Sequence, residues 1–194
     1  MTDNSKSRIE HMKKQIVPPS VVYGMKNLDY ELFRKEVILP FILTNTDQIN
    51  TISKSLKPYF LKIPEFKPVQ PYSGHPDLLK IFLNPDKLND QVIQSLKQLE
   101  TLLFPISSDM NEKSNFIGFQ KHELTYKNFS HHHIFRAIIP GNEDSVTGFS
   151  TVGHILHLNL RQEILPYKNL IGQVSSKQFS HSYSNYIYFQ GINR

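Results

Sequence analysis

Gly153-His154-Ile155-Leu156-His157-Leu158-Asn159-Leu160-Arg161 is followed by Gln162-Glu163-Ile164-Leu165-Pro166-Tyr167-Lys168 and then by Asn169-Leu170-Ile171-Gly172-Gln173-Val174. Successive side chains of an extended chain point to opposite faces. Over residues 152–161 this places His154, Leu156, Leu158 and Leu160 on one face of a strand. Ile155, His157, Asn159 and Arg161 share the other. Pro166 interrupts the pattern, and the apolar residues within 169–174 predict a further strand. His154 and His157 fall on opposite faces and cannot converge on one metal ion while the strand is unbroken.

Upstream, the signals are those of small elements. Leu88, Val92, Leu96, Leu99 and Leu103 form one stripe of a helix over residues 87–104, which Pro105 ends. Ile49, Ile52 and Leu56 predict a shorter helix over 47–57. Residues 37–43 are an apolar run of strand length, and Pro40 within it predicts an edge position or a break. Residues 59–63 and 78–83 read as strands, and 122–126 as a short one. Residues 64–76 carry Pro64, Pro68, Pro71 and Pro76 and read as a loop. Asp29 is a candidate cap for a short helix anchored by Leu32 and Phe33, and Ser130 for a helix over 131–139. Residues 1–17 lack a sustained apolar face and are expected to form a mobile basic arm.

Composition narrows the chemistry. With no cysteine among 194 residues, disulfides, thiolate metal sites and cysteine nucleophiles are excluded. A formal charge of +5 and a pI near 9.3 favour a polyanionic partner. No apolar run approaches the ~20 residues of a membrane-spanning helix. Neighbouring residues of a helix are turned by ~100°, so His131, His132 and His133 cannot all ligate one ion. No phosphate-binding glycine loop, dinucleotide fingerprint or nucleophile elbow is present. Arg161, Tyr167 and Lys168 lie close together around the Pro166 turn. Arginine and lysine grip phosphate and tyrosine stacks on an unpaired base, so these three are candidate RNA contacts.

The 153–174 stretch also resembles a signature of the tRNA (guanine-N1)-methyltransferase family acting at tRNA position 37, of eukaryotic and archaeal type. The resemblance rests on Gly153, His154, His157, Asn159, Arg161 and Pro166 within Gly-His-Ile-x-His-Leu-Asn-Leu-Arg, Leu-Pro-Tyr-Lys and Leu-Ile-Gly-Gln-Val. Leu124-Thr125-Tyr126, Phe129 and residues 134–140 resemble the segment just upstream in that family. Pro18-Pro19-Ser20, Gly24-Met25, Leu28-Asp29 and Phe33 resemble the start of its animal-type N-terminal domain. His132 and His133 depart from it, standing where the family often carries acidic residues.

What the resemblance implies is a tRNA partner and, for full-length members, methyl transfer from S-adenosylmethionine to N1 of guanosine 37. The expected fold class is α+β. A small mixed N-terminal domain over 18–148 engages tRNA, a second, linking domain starts at 149–174, and a divergent tail covers 175–194. The Rossmann-like methyltransferase domain of the family is expected to be absent. No catalytic, cofactor-binding or metal-binding residue is therefore expected within this chain, and it should be inactive alone. The strands of the second domain should leave an open edge. A monomer that binds neither DNA nor membrane is expected, in the cytoplasm, nucleus or mitochondrial matrix. Two other readings are a non-catalytic regulatory isoform that competes for tRNA and a protein-interaction module with no RNA role.

Overall fold

In a computed structural model, residues 3–103, 117–141, 149–152, 155–179 and 186–192 are described. The chain divides into two compact units, residues 1–16 with 36–123 and residues 17–35 with 124–194. Both are of mixed α/β composition, as the α+β class requires. The division differs from the expected boundary near residue 148, because residues 17–35 leave the first unit and fold with the C-terminal half.

The first unit holds α1 (Asp3–Met12), β1 (Lys35–Asn45), α2 (Ile49–Leu56), β2 (Val69–Tyr72), β3 (His75–Phe82), α3 (Asp90–Leu103) and β4 (Ile117–Leu124). Its sheet runs in the order β2-β3-β1-β4, with β3 antiparallel to both β1 and β2. Ile42 and Ile81 are cross-strand partners on the face that meets Ile52 and Leu56 of α2 and Val92, Ile93 and Leu96 of α3. Ile52 and Leu56 of the one predicted stripe and Val92 and Leu96 of the other are thus buried, Ile49 and Leu99 pack partly buried against them, and Leu88, expected in the helix over 87–104, is buried just before α3 begins. The arm expected over residues 1–17 is instead helical in α1, and Ile9, Met12 and Ile16 are buried. Two apolar residues within α1 and one beyond it are too few to mark a helix alone. They suffice once a core is there to receive them.

Two proline expectations are corrected. Pro40 sits in β1, which is interior in the strand order, and the strand does not break there. Its carbonyl still accepts the Leu83 N–H at 2.9 Å, and the donor that proline lacks falls where the β1–β3 ladder ends. The proline-rich loop over 64–76 contains a hairpin. Pro71 lies on β2, an edge strand, and Pro76 lies beyond the last β3 residue that pairs with β1. Gly74, at φ 84°, makes the turn between them. Residues 59–63 begin at the end of the 3-10 turn Lys57–Tyr59 and make a single bridge, Phe60 to Leu83, rather than a strand.

On the opposite face of this sheet, His122 stands edge-to-face against Phe82 and Phe66, with ring centroids 4.9 and 5.4 Å away. Burial, and secondarily the Lys80 ammonium, hold its pKa below the ordinary histidine value. The folded state therefore favours the neutral ring. The resulting stability is complete above pH ~6.5 and is lost as pH falls from there through the depressed folded pKa. Acidification from pH 7.5 to 5 is expected to lower the melting temperature of the wild type more than that of His122→Gln. Equal losses would rule out this source of acid sensitivity.

The second unit holds α4 (His131–Ile138), β5 (Phe149–Val152), β6 (Ile155–Arg161), α5 (Lys168–Phe179) and β7 (Tyr186–Ile192), together with 3-10 turns at Ser20–Val22, Glu31–Phe33, Tyr126–Asn128 and Gln162–Tyr167. Ser130 caps α4 as expected, its Oγ accepting from the His133 N–H at 3.3 Å. Asp29 accepts from the Glu31 N–H at 3.0 Å and starts the turn that carries Phe33. Phe33 is fully buried, with its ring 5.2 Å from Tyr126 and 6.4 Å from Phe129. Gly24, at φ 75°, donates its N–H to the Ile138 carbonyl at 2.7 Å and ties the 17–35 segment to the end of α4.

The strand predicted over 152–161 is divided between β5 and β6, which pair antiparallel. The strand predicted over 169–174 is a helix, α5. A short apolar run bounded by proline suits either structure, and burial of Leu170, Ile171 and Val174 at helical spacing selects the helix. α5 then leads to β7, which lies parallel to β6. Residues 175–194, expected as a tail with little apolar order, thus contribute the end of α5 and a strand. In the order β5-β6-β7 both sides of β6 are paired, and among the described residues β5 and β7 stand at the edges of this sheet.

Candidate nucleic-acid interface

The β6–α5–β7 segment is a strand–helix–strand unit with parallel strands. In such units ligands gather beyond the carboxyl ends of the strands, where the first turn of the crossover helix presents backbone N–H groups. Arg161 is the last residue of β6 and Lys168 the first of α5. They bracket the 3-10 turn Gln162–Tyr167, which contains Pro166. Leu160, Ile164 and Leu170 are buried and anchor the turn from both sides. Arg161, Pro166 and Lys168 are exposed and Tyr167 is half-buried.

The three candidate RNA contacts thus occur on one anchored turn. A fourth residue joins them from far away in sequence. The Lys26 Nζ lies over the Tyr167 ring, 5.9 Å from its centroid, at the outer limit of cation–π contact. Nothing in the local sequence around Lys26 announces this. Among the described residues no ion pair joins Arg161 to Glu163. The first turn of α5 carries no acidic residue, so the positive end of the helix dipole is not offset there.

The remaining signature residues divide by position. Leu158 and Leu160 are buried, His157 is half-buried and Arg161 is exposed, in keeping with the predicted alternation. The Asn159 backbone pairs with Gln190 in β7. Gly153 and His154 lie outside the described residues. The histidine triplet spreads around α4. His131 meets the edge of Phe135 at 6.2 Å, and the His132 and His133 rings are 6.5 Å apart. Burial, then His132 and then Arg136, keep the His133 pKa below its ordinary value.

Among the described residues, the turn between β6 and α5 lacks the glycine of a strand-to-helix site for S-adenosylmethionine. A cofactor of this kind needs a glycine-bearing strand-to-helix turn so that the backbone can approach it. Between β6 and α5 that turn carries Ile164 and Pro166, and Gly172 is inside the helix. Gly24, Gly74 and Gly141, which do adopt positive φ, are in other turns. No helix among the described residues is long and apolar enough to cross a membrane.

Comparison with known proteins agrees with the signature. Residues 132–184, which contain all but the first residue of α4 together with β6 and the Arg161–Lys168 turn, match the family model described as the TYW2 N-terminal domain. The tRNA (guanine(37)-N(1))-methyltransferase of Anopheles gambiae is 34% identical over 174 residues, covering 87% of this chain and 29% of that protein. The enzymes of Mus musculus and Macaca mulatta are 35% and 37% identical, each over 81% of this chain and 30% of their own length. Over most of its length the chain is similar to part of the tRNA (guanine(37)-N(1))-methyltransferases. It spans about a third of the length of these relatives.

Proposed function

We propose that residues 1–194 form the tRNA-engaging part of a methyltransferase that modifies N1 of guanosine 37. The turn from Arg161 to Lys168 is a contact surface for RNA in this reading, with Lys26 and Tyr167 completing it. The observation that carries the reading is the coincidence of two independent facts. The residues that the family signature shares with this chain include Arg161 and Pro166, and the same residues lie on an exposed cationic turn backed by buried leucine and isoleucine. Phosphate contacts of this type give affinity and orientation rather than sequence preference.

S-adenosylmethionine binding and the proton abstraction from guanine belong, in this reading, to sequence outside residues 1–194. The glycine-free turn after β6 supports that assignment. The test is to incubate the purified chain with tRNA and S-adenosylmethionine. Saturable tRNA binding without N1-methylguanosine is expected. Methylation by these residues alone would overturn the division of labour, and absence of tRNA binding would overturn the proposed role.

A further inference from the structure

A second cationic surface in the same unit has no part in the turn just described. Residues 17–23 and 34–35 run beside α4 and enclose a groove of about 1050 Å³, lined among others by Val17, Tyr23, Arg34, Lys35, His133 and Arg136. Its volume is at the upper end of small-ligand sites, which span roughly 300–1,000 Å³. Tyr23 is 62% exposed, although it follows the buried Val22 and precedes the anchored Gly24. An aromatic ring held on a fixed backbone but left in solvent is a stacking platform.

The charged residues that line the groove are cationic. Arg34 forms an ion pair with Glu31 at 2.8 Å, which holds the guanidinium in place and offsets part of its charge. The Lys35 Nζ donates to the Val17 carbonyl at 3.4 Å and is partly desolvated. Arg136 is exposed on α4, one turn beyond His133. None of the residues lining the groove is acidic. Tyr23 and Lys26 are three residues apart, at most ~11 Å along the chain. The groove and the Tyr167 contact therefore lie near one another on the 17–35 segment.

We infer that this groove holds an unpaired nucleotide of a single-stranded RNA segment, with the base stacked on Tyr23 and its phosphate met by Arg136 and Arg34. The occupant follows from the pairing of one exposed ring with several cations. Flexible, unstacked bases suit such a site, and a rigid duplex does not present a base face to it. The inference rests on the proposed RNA-binding role and adds the strand type and the residues.

The experiment titrates the full chain against a fluorescent oligouridylate and, separately, against tRNA. The oligouridylate is expected to bind. Tyr23→Ala should weaken that binding by about 5-fold or more, and Tyr23→Phe should keep it, since only the ring is required. Arg136→Ala should reduce the salt dependence by about 0.7 in slope, the contribution of one single-strand phosphate. Both side chains are exposed, so an unchanged melting temperature serves as the folding control. Failure of the wild type to bind the oligouridylate, or equal binding by Tyr23→Ala, would overturn the groove. If tRNA still binds in that case, the turn at Arg161 keeps its role. If the oligouridylate binds in a Tyr23-dependent manner and tRNA does not, the groove stands and the tRNA role falls.

Discussion

Phe33→Ala is expected to destabilise the second unit by ~3–5 kcal/mol, the range for removing a buried aromatic side chain. For a chain of this length that corresponds to a fall in melting temperature of roughly 6–20 °C. The ring is wholly buried and meets Tyr126 edge-on at 5.2 Å and Phe129 at 6.4 Å. Tyr126 is itself held in this cluster by Tyr30 at 4.8 Å. Burial, with a smaller contribution from Tyr30, raises its hydroxyl pKa to about 12, so the phenol stays neutral. Deleting Phe33 leaves a cavity that the Asp29-led turn cannot close without moving. Leu32→Ala, at a neighbour that is 38% exposed, is the control and should cost under ~0.5 kcal/mol. A similar loss for both variants would mean that the turn, not the ring, supplies the stability.

The second large effect is on binding. Arg161→Ala with Lys168→Ala is expected to weaken tRNA affinity on the order of 100-fold, since charge-assisted hydrogen bonds contribute about 1.5 kcal/mol each. The sharper sign is the salt dependence. Two lost phosphate contacts should make the slope of log affinity against log salt shallower by ~1.4–1.8. Both side chains are exposed at the rim of a turn fixed by Leu160, Ile164 and Leu170, so the fold should survive the change. A loss of affinity with an unchanged slope would assign these residues to shape rather than phosphate contact. An unchanged affinity and slope would remove them from the interface.

The parts of this fold that sequence made visible are those with a strong local period. Val92 and Leu96 in α3, Ile52 and Leu56 in α2, and His157, Leu158, Leu160 and Arg161 in β6 all point where their spacing directs them. What escaped is decided at long range. α1 has a sparse apolar face that gains meaning only against Leu88 and Val92. Pro71 and Pro76 look like loop residues until the strand order shows that neither needed its missing N–H in the ladder. α5 could be strand or helix on pattern alone, and burial of Leu170, Ile171 and Val174 on one helical face decides the matter. The candidate interface divides in the same way. Arg161, Tyr167 and Lys168 are neighbours in sequence, whereas Lys26 and the Tyr23 groove reach the 162–167 turn and α4 across residues 36–123, which fold elsewhere.

The central claim is that residues 1–194 engage tRNA through cationic surfaces of the second unit. Equilibrium binding of the purified chain to tRNA carrying guanosine 37, measured over a series of salt concentrations, tests it most directly. The expected result is saturable binding whose affinity falls linearly on logarithmic axes as salt rises, with the slope reduced in Arg161→Ala/Lys168→Ala. No saturable binding at low salt, or binding indifferent to salt, would contradict it.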